Sequence, residues 1–316
     1  MLFNLFNSAE SCLSANRRAL LFAGLASAFV STGASADTFV RIDTDAGSFA
    51  IELFEDDAPI TVENFLGYVD SGAYDGSLFH RSVSNFIVQG GGFAYVPDQQ
   101  TFAPIPAGPT ISNEFGRSNV RGTIAMAKVG GDPNSATNQW FVNVADNSAN
   151  LDNQNGGFTV FGRVLGGGMS VVDAINRLQN VNITNFSALS EVPVLSVNGD
   201  TVADVNWVDL SMRSISDSGE FKNGVIAMAL DAGELGRALV DFRITANSPA
   251  TVITLDPQSV LFIGASMDEM ATFNSISGEL SLPTLTVPEG RAYKNLRFVL
   301  TDAASYSFTL QSFERP

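Results

Sequence analysis

The alternation of apolar and polar residues predicts that most of this chain is β-strand. Residues 40–42 and 49–53 alternate between apolar and polar side chains, which is the two-residue period of a half-buried strand. Asp45-Ala46-Gly47 lies between the two runs and predicts a hairpin turn. The first two strands are therefore expected to pair antiparallel.

A different spacing predicts two helices. After Pro59, four apolar residues recur between Val62 and Val69 at i, i+3, i+4 and i+7, and Gly72 follows as a stop. Residues 170–178 repeat the pattern after the glycine turn at 166–168. Several short apolar runs lie between these two helices and predict further strands.

One of these runs combines a charged residue with apolar neighbours. Leu78 to Phe93 reads LFHRSVSNFIVQGGGF, in which Arg81 lies among strand-like alternating residues and Gln89 precedes three glycines. Taken alone, Arg81 also fits a strand arginine whose charged end reaches the surface. The glycines let the backbone turn sharply or lie close against a neighbour.

Two further blocks change the interpretation of Arg81. Residues 122–143 read GTIAMAKVGGDPNSATNQWFVN, and residues 158–164 read FTVFGRV. Together with the block around Arg81, and in this order, they resemble the cyclophilin family of peptidyl-prolyl cis-trans isomerases over roughly residues 38–214. The resemblance implies a mainly β fold, a closed eight-stranded antiparallel barrel capped by two helices, with residues 203–212 as the candidate last strand.

The resemblance also implies a reaction and a set of residues. The reaction is rotation about an X–Pro bond in proline-containing peptides and unfolded exported proteins, with no cofactor, no metal and no covalent intermediate. The implied catalytic residues are Arg81, Phe86, Gln89 and Phe141. The implied substrate-binding residues are Ile87, Met126, Ala127, Lys128, Gln139, Leu151 and Phe158. Taken singly, each apolar member would more simply be barrel core.

The chain departs from the family pattern at several of these positions. Asn150 stands where eukaryotic members often have tryptophan, Phe158 where histidine is frequent, and Lys128 where asparagine is frequent. Trp140-Phe141 replaces the usual pair of phenylalanines. The changes at 150 and 158 weigh against strong binding of the family's cyclic-peptide inhibitor. We expect His80 to be structural, since it should point to the opposite face of the strand from Arg81.

Composition excludes several functional classes. The formal charge of −16 argues against nucleic acid and anionic membranes as partners. His80 is the only histidine and Cys12 the only cysteine, so neither a His/Cys zinc site nor a cysteine-based catalytic pair is expected.

The amino terminus predicts a signal peptide over residues 1–36. Arg17-Arg18 precedes an apolar run from Ala19 to Val30, too short to span a bilayer, and Ala34-Ser35-Ala36 follows as a cleavage signal. Cleavage after Ala36 would remove Cys12 and leave an exported, periplasmic or secreted chain. An amino-terminal core helix is the alternative reading.

The predicted organisation continues with an isomerase domain at 37–214, a polar linker at 215–222 and a β-rich domain at 223–316. Period-two runs around residues 240–244 and 306–310 predict a small β-sandwich whose partner is unknown. Two other functions stay open: a peptide-binding module with weak or lost isomerase activity, and a structural or adhesive envelope protein that works through its carboxyl-terminal half.

Overall fold

The computed structural model describes residues 38–199, 201–216, 219–233, 236–264, 270–288 and 290–316. The predicted signal peptide at 1–36 lies outside these ranges. The described chain divides into two compact units, the first ending at Ser214 and the second beginning at Ile215.

The first unit is mainly β. Its principal strands, in chain order, are β1 (Thr38–Thr44), β2 (Gly47–Leu53), β3 (Ser77–Leu78), β4 (Arg81–Val83), β5 (Ile87–Gly90), β6 (Phe93–Val96), β7 (Thr101–Pro104), β8 (Thr123–Met126), β9 (Trp140–Asn143), β10 (Val160–Val164), β11 (Gln179–Val181), β12 (Val192–Val197), β13 (Val205–Trp207) and β14 (Asp209–Ser216), whose last two residues are counted in the second unit. The predicted hairpin is confirmed, because β1 and β2 pair antiparallel. Thr44 and Gly47 are opposite each other next to the turn.

Two longer helices and one short one accompany these strands. The helices are α1 (Pro59–Asp70), α2 (Ser148–Leu151) and α3 (Met169–Asn176). Helix α1 begins at its proline, whose fixed φ suits a first helical position. The amides of Ile60 and Thr61, which the helix start leaves without intrahelical partners, donate to the carboxylate of Glu114.

Both longer helices bury one face in the same apolar core. Val62, Phe65 and Val69 of α1 and Val172 and Ile175 of α3 pack there. The β-strands supply most of the rest of this interior core, including Val40, Ile42, Phe49, Ile51, Val88, Ile124, Met126, Trp140, Val142 and Phe161, and Phe79 joins it from the segment between β3 and β4. The helical periodicity of the sequence is therefore confirmed by burial.

The strand pairing of the first unit differs from the expected closed barrel, because its large sheet is open. Among the described residues its strand order is β4-β5-β9-β8-β10-β2-β1-β14-β3-β6-β7, which is open at β4 and β7. The ladder breaks at Phe79 and His80, which separate β3 from β4. The amide of Phe79 donates to Val208 while that of His80 donates to Gln89, so the two residues face different neighbours.

A small sheet of three strands, β11-β12-β13, joins the first unit after α3. Its own apolar cluster contains Val192, Val194 and Trp207, together with Leu78 and Phe102 from the large sheet. The predicted last strand at 203–212 is divided between this sheet and β14, with Val208 between them.

The second unit contains β15 (Gly219–Lys222), β16 (Val225–Asp231), β17 (Arg237–Ala246), β18 (Val252–Leu255), β19 (Leu261–Phe262), β20 (Ala271–Asn274), β21 (Glu279–Val287), β22 (Arg291–Asp302) and β23 (Ser307–Glu314). The predicted period-two runs around 240–244 and 306–310 correspond to β17 and β23, the second of which begins at Ser307. The continuous apolar run of β16 carries no alternation, and the sequence pattern missed it.

These strands form a closed barrel rather than the expected sandwich. Within the described residues the pairings run β16-β20-β21-β22-β23-β18-β17 and return to β16. Irregular registers interrupt β17 near Ile244 and β22 near Arg297 and Leu300. Such bulges bend a strand and increase its twist, which helps a sheet close on itself. One apolar cluster fills the interior.

The segment predicted as a linker, 215–222, is strand over most of its described length. β14 continues to Ser216, and β15 begins at Gly219. Phe221 is buried in the core of the second unit. Its polar neighbours dominate the composition of the segment, but a single apolar residue is enough to bury one face of so short a strand.

No helix in the described part of the chain is long and apolar enough to cross a membrane.

We expect Phe65→Ala to lower the unfolding free energy of the first unit by about 3–5 kcal/mol, because it removes a fully buried ring. Ile60→Ala on the same helix, where the side chain is 46% exposed, should change it by about 0.5 kcal/mol or less. Both tryptophans, Trp140 and Trp207, lie in this unit, so tryptophan fluorescence during denaturation measures it selectively. Equal effects of the two substitutions would contradict the packing described.

Candidate functional site

Arg81, Gln89 and Phe141 lie in one row across three neighbouring strands. Arg81 of β4 is opposite Gln89 of β5, Gln89 is opposite Phe141 of β9, and Phe141 is opposite Ala125 of β8. Residues directly opposite each other in a sheet point to the same face. Because adjacent strands are about 4.8 Å apart, the backbones of Arg81 and Phe141 are separated by roughly 10 Å.

This face of the sheet carries an apolar cluster separate from the interior core. Its buried members are Ile87, Ala125, Phe141, Leu151 and Val160, and its half-buried members are Phe54, Val83, Phe86, Ala127 and Phe158. The intervening residues of the same strands, Val88, Val142 and Ile124, face the interior core instead. We call the first set the outer apolar cluster.

Met126 does not belong to the outer apolar cluster, which corrects its assignment to the substrate site. Its side chain is fully buried in the interior core, and the residue pairs with Trp140. Because side chains alternate along β8, Ala125 and Ala127 on either side of it face outward and Met126 faces inward.

Two aromatic residues form the half-exposed rim of the outer apolar cluster. The ring of Phe158 meets that of Phe141 edge to face, with 5.9 Å between centroids. The amide of Phe158 donates to the carbonyl of Leu151, which fixes the loop against α2. Phe86 follows Asn85, which has a positive φ of 55°, and its carbonyl accepts from the side chain of Asn147.

A chain of polar side chains runs from the row into the protein. Nε2 of Gln89 donates to Oε1 of Gln139 at 2.8 Å, and Gln139 also bonds to the side chain of His80. His80 is buried and lies on the opposite side of its strand from Arg81, as expected for adjacent strand residues. The histidine therefore supports Gln139, and through it Gln89.

The glycines at 90–92 let this strand approach its neighbours closely. A Cβ on Gly91 would lie 2.4 Å from the carbonyl oxygen of Asn138, and Gly91 also has a positive φ of 81°. A Cβ on Gly90 would lie 2.8 Å from the ring of Trp140. The interpretation of the glycine run as a close backbone contact is confirmed.

Lys128 is directed toward a loop rather than along the row. Its ammonium donates to the carbonyls of Asn155 and Gly157 at 2.8 and 2.6 Å and lies 4.8 Å from the centroid of the Phe158 ring. Burial lowers the pKa of Lys128, while the nearby Asp132 carboxylate opposes that shift. The amide of Ala127 donates to the carbonyl of Gln139 and is therefore already engaged.

The guanidinium of Arg81 has a partner that the sequence did not indicate. Its Nε donates to Oε2 of Glu191 at 3.1 Å, and both side chains are partly exposed, at 36% and 40%. Glu191 is 110 positions away in the chain, so only the fold brings the two together. No group of three or more His, Cys, Asp or Glu side chains suited to a metal ion was found among the described residues.

The pH dependence of His80 offers a test of this geometry. Burial lowers its pKa from 6.5 to about 4; the hydrogen bond with Gln139 opposes the shift, and the charge of Arg81 adds to it. As the pH falls below about 6.5, the unfolded chain gains a proton that the native chain does not bind. We therefore expect stability to fall between pH 6.5 and 4, by up to about 3 kcal/mol from this group.

NMR titration can check this directly, because His80 is the only histidine in the chain. Its imidazole signals should remain those of the neutral form down to about pH 5. A midpoint near 6.5 in the folded protein would contradict the buried, neutral histidine described here.

Comparison with known proteins agrees with the resemblance in the sequence. The family described as "Cyclophilin type peptidyl-prolyl cis-trans isomerase/CLD" matches residues 39–199. A peptidyl-prolyl cis-trans isomerase of Acinetobacter baylyi is 39% identical over 181 residues, covering 56% of this chain and 89% of the relative. Peptidyl-prolyl cis-trans isomerase cyp18 of Streptomyces antibioticus is 46% identical, covering 50% and 93%.

Among solved structures, a Cryptosporidium parvum cyclophilin type isomerase aligns with a TM-score of 0.40 at 22% identity, covering 56% of this chain and 98% of that one. The family match spans half of the chain, and the relatives are covered over most of their length. This chain belongs to the cyclophilin-type peptidyl-prolyl cis-trans isomerase family.

Proposed function

We propose that the first unit catalyses cis-trans isomerisation of X–Pro bonds in peptides and in proteins that are still folding. The observation that carries the proposal is the single row in which Arg81, Gln89 and Phe141 lie beside the outer apolar cluster. A fixed cationic donor next to an apolar surface is what this reaction needs, for reasons that follow from the amide itself.

The barrier to rotation arises from amide resonance and is about 18–20 kcal/mol. Without catalysis, the X–Pro bond changes isomer over tens to hundreds of seconds. A catalyst must therefore bind the twisted amide better than either planar form. In the twisted state the proline nitrogen becomes pyramidal and basic, so a donor aimed at it lowers the barrier. No covalent bond to the protein and no cofactor is required.

Arg81 supplies that donor in our proposal. A guanidinium is always charged and presents its N–H groups in a rigid plane, so it is oriented before the substrate arrives. Its Nε is engaged by Glu191, and we propose that the terminal nitrogens face the substrate. Gln89, held by Gln139, would orient the substrate backbone beside them.

The outer apolar cluster would hold the proline ring while the preceding residue turns. Ile87, Phe141 and Leu151 provide its buried floor, and Phe86 and Phe158 its rim. Apolar walls with a few fixed polar groups are typical of small binding sites. Ala127 and Lys128 would run alongside the bound peptide, with the lysine acting through the loop that carries Phe158.

We also propose that the chain acts outside the cytoplasm, on exported proteins. The support is in the sequence: Arg17-Arg18, the apolar run from Ala19 to Val30, and the small residues ending at Ala36. Removing residues 1–36 takes away two arginines and one glutamate, which changes the formal charge from −16 to −17. A folding assistant in that compartment would meet newly exported chains before their prolines reach native isomers.

Arg81→Ala should reduce kcat/KM on a short X–Pro peptide by on the order of 100-fold, the usual effect of removing one transition-state donor. Arg81→Lys should also lose most activity, because lysine keeps the charge but not the planar fork. The measurement is exchange between the two isomers by NMR. Arg163→Ala, which removes a 55% exposed arginine of β10, serves as the matched control.

An intact protein with no rate above background would leave only the peptide-binding alternative. Unchanged activity in Arg81→Ala would overturn the assignment of the donor while leaving the family membership untouched.

The export proposal predicts a shortened chain in the extracytoplasmic fraction of expressing cells, with its new amino terminus at Asp37. Mass spectrometry of the purified protein measures the cleavage position. A full-length chain confined to the cytoplasm would contradict export.

A further inference from the structure

We infer that Glu191 is a positioning residue for Arg81, holding the guanidinium in the orientation that the proposed isomerase reaction requires. This inference rests on the proposed function and adds a member to its site. Arg81 lies on β4, the strand that ends the order of the large sheet.

The outer edge of β4 is bonded to the last residue of α3 and to the segment that follows it. The amide of Ser82 donates to the carbonyl of Glu191 at 2.7 Å, and the carbonyl of Ser82 accepts from the side chain of Asn180 at 2.7 Å. Asn176 adds bonds to the hydroxyl of Ser82 and the carbonyl of Val83. The backbone of Glu191 is therefore joined to β4 by a main-chain bond that does not involve its carboxylate.

Glu191 extends the row of site residues by one position. It forms an isolated parallel bridge with Arg81, so the row reads Glu191, Arg81, Gln89, Phe141 and Ala125. Bridge partners point to the same side of a sheet, which brings the carboxylate to the guanidinium. The observed bond from Nε of Arg81 to Oε2 of Glu191 follows from this placement.

The atom that Glu191 engages matters for the chemistry. Nε lies at the inner end of the guanidinium, so a bond there fixes the plane of the group without occupying the terminal nitrogens. Gln89, the cross-strand neighbour of Arg81, donates instead to Gln139. Within the described residues, Glu191 is the side chain that we find bonded to the Arg81 guanidinium.

A long arginine side chain has many rotamers, and a half-exposed one samples them unless a partner selects one. Preorganised donors accelerate reactions because they need no reorientation when charge develops. Glu191 therefore acts through Arg81 on kcat more than on KM, because the peptide is held mainly by the outer apolar cluster.

The test compares Glu191→Ala and Glu191→Gln in the full chain. We expect Glu191→Ala to lower kcat/KM on the X–Pro peptide by on the order of tenfold, mainly in kcat. Glu191→Gln keeps an oxygen that can accept the same bond, and should stay within about threefold of the parent. Glu52→Ala is the matched control, since Glu52 forms the same kind of pair with Nε of Arg163, five strands away from β4 in the sheet order.

A second readout separates positioning from a loss of fold. The ¹⁵N signal of Arg81 Nε–H should exchange slowly with water in the parent and in Glu191→Gln, and rapidly in Glu191→Ala. Activity of Glu191→Ala equal to or above that of the parent, equal losses in both variants, or an unchanged Nε–H signal in Glu191→Ala would each overturn the inference. With an active parent and an inactive Arg81→Ala, those outcomes would leave the proposed isomerase function standing.

Discussion

The alternation of side chains across a single sheet layer is the constraint from which the site of the first unit follows. Val88 and Val142 bury one face in the interior core, while Ile87, Gln89 and Phe141 present the other. A shift of any of these strands by one residue would exchange the two faces. The interior core therefore fixes the register on which the outer row depends, and stability and site geometry share the same strand pairings.

Much of the first unit could be predicted from the sequence, because its signals are local. The hairpin at Asp45-Ala46-Gly47 and helix α1 after Pro59 each depend on neighbours within a few residues. Met126 was misplaced for a different reason. Its position in a family-like block indicated the site, but the alternation between Ala125 and Ala127, applied strictly, already pointed it inward.

The sequence could not predict which residues and strands pair when they are far apart in the chain. Glu191 meets Arg81 across 110 positions, and no spacing rule connects them. The closed barrel of the second unit has the same origin: short strands at regular intervals fit either a sandwich or a barrel, and the pairing of β16 with β17 decides between them. Phe221 likewise showed its role only once its burial in the second unit's core was known.

The bonds along the outer edge of β4 have a consequence for self-association. An exposed strand edge has unpaired N–H and C=O groups that can pair with a strand of another chain, and repeated pairing of this kind leads to aggregation. Here the amide and carbonyl of Ser82 are both occupied, by Glu191 and Asn180. The opposite end of the sheet, β7, is only four residues long and finishes at Pro104, which has no amide hydrogen to donate. Both margins of this large sheet are thus protected against fibril-like growth at high protein concentration.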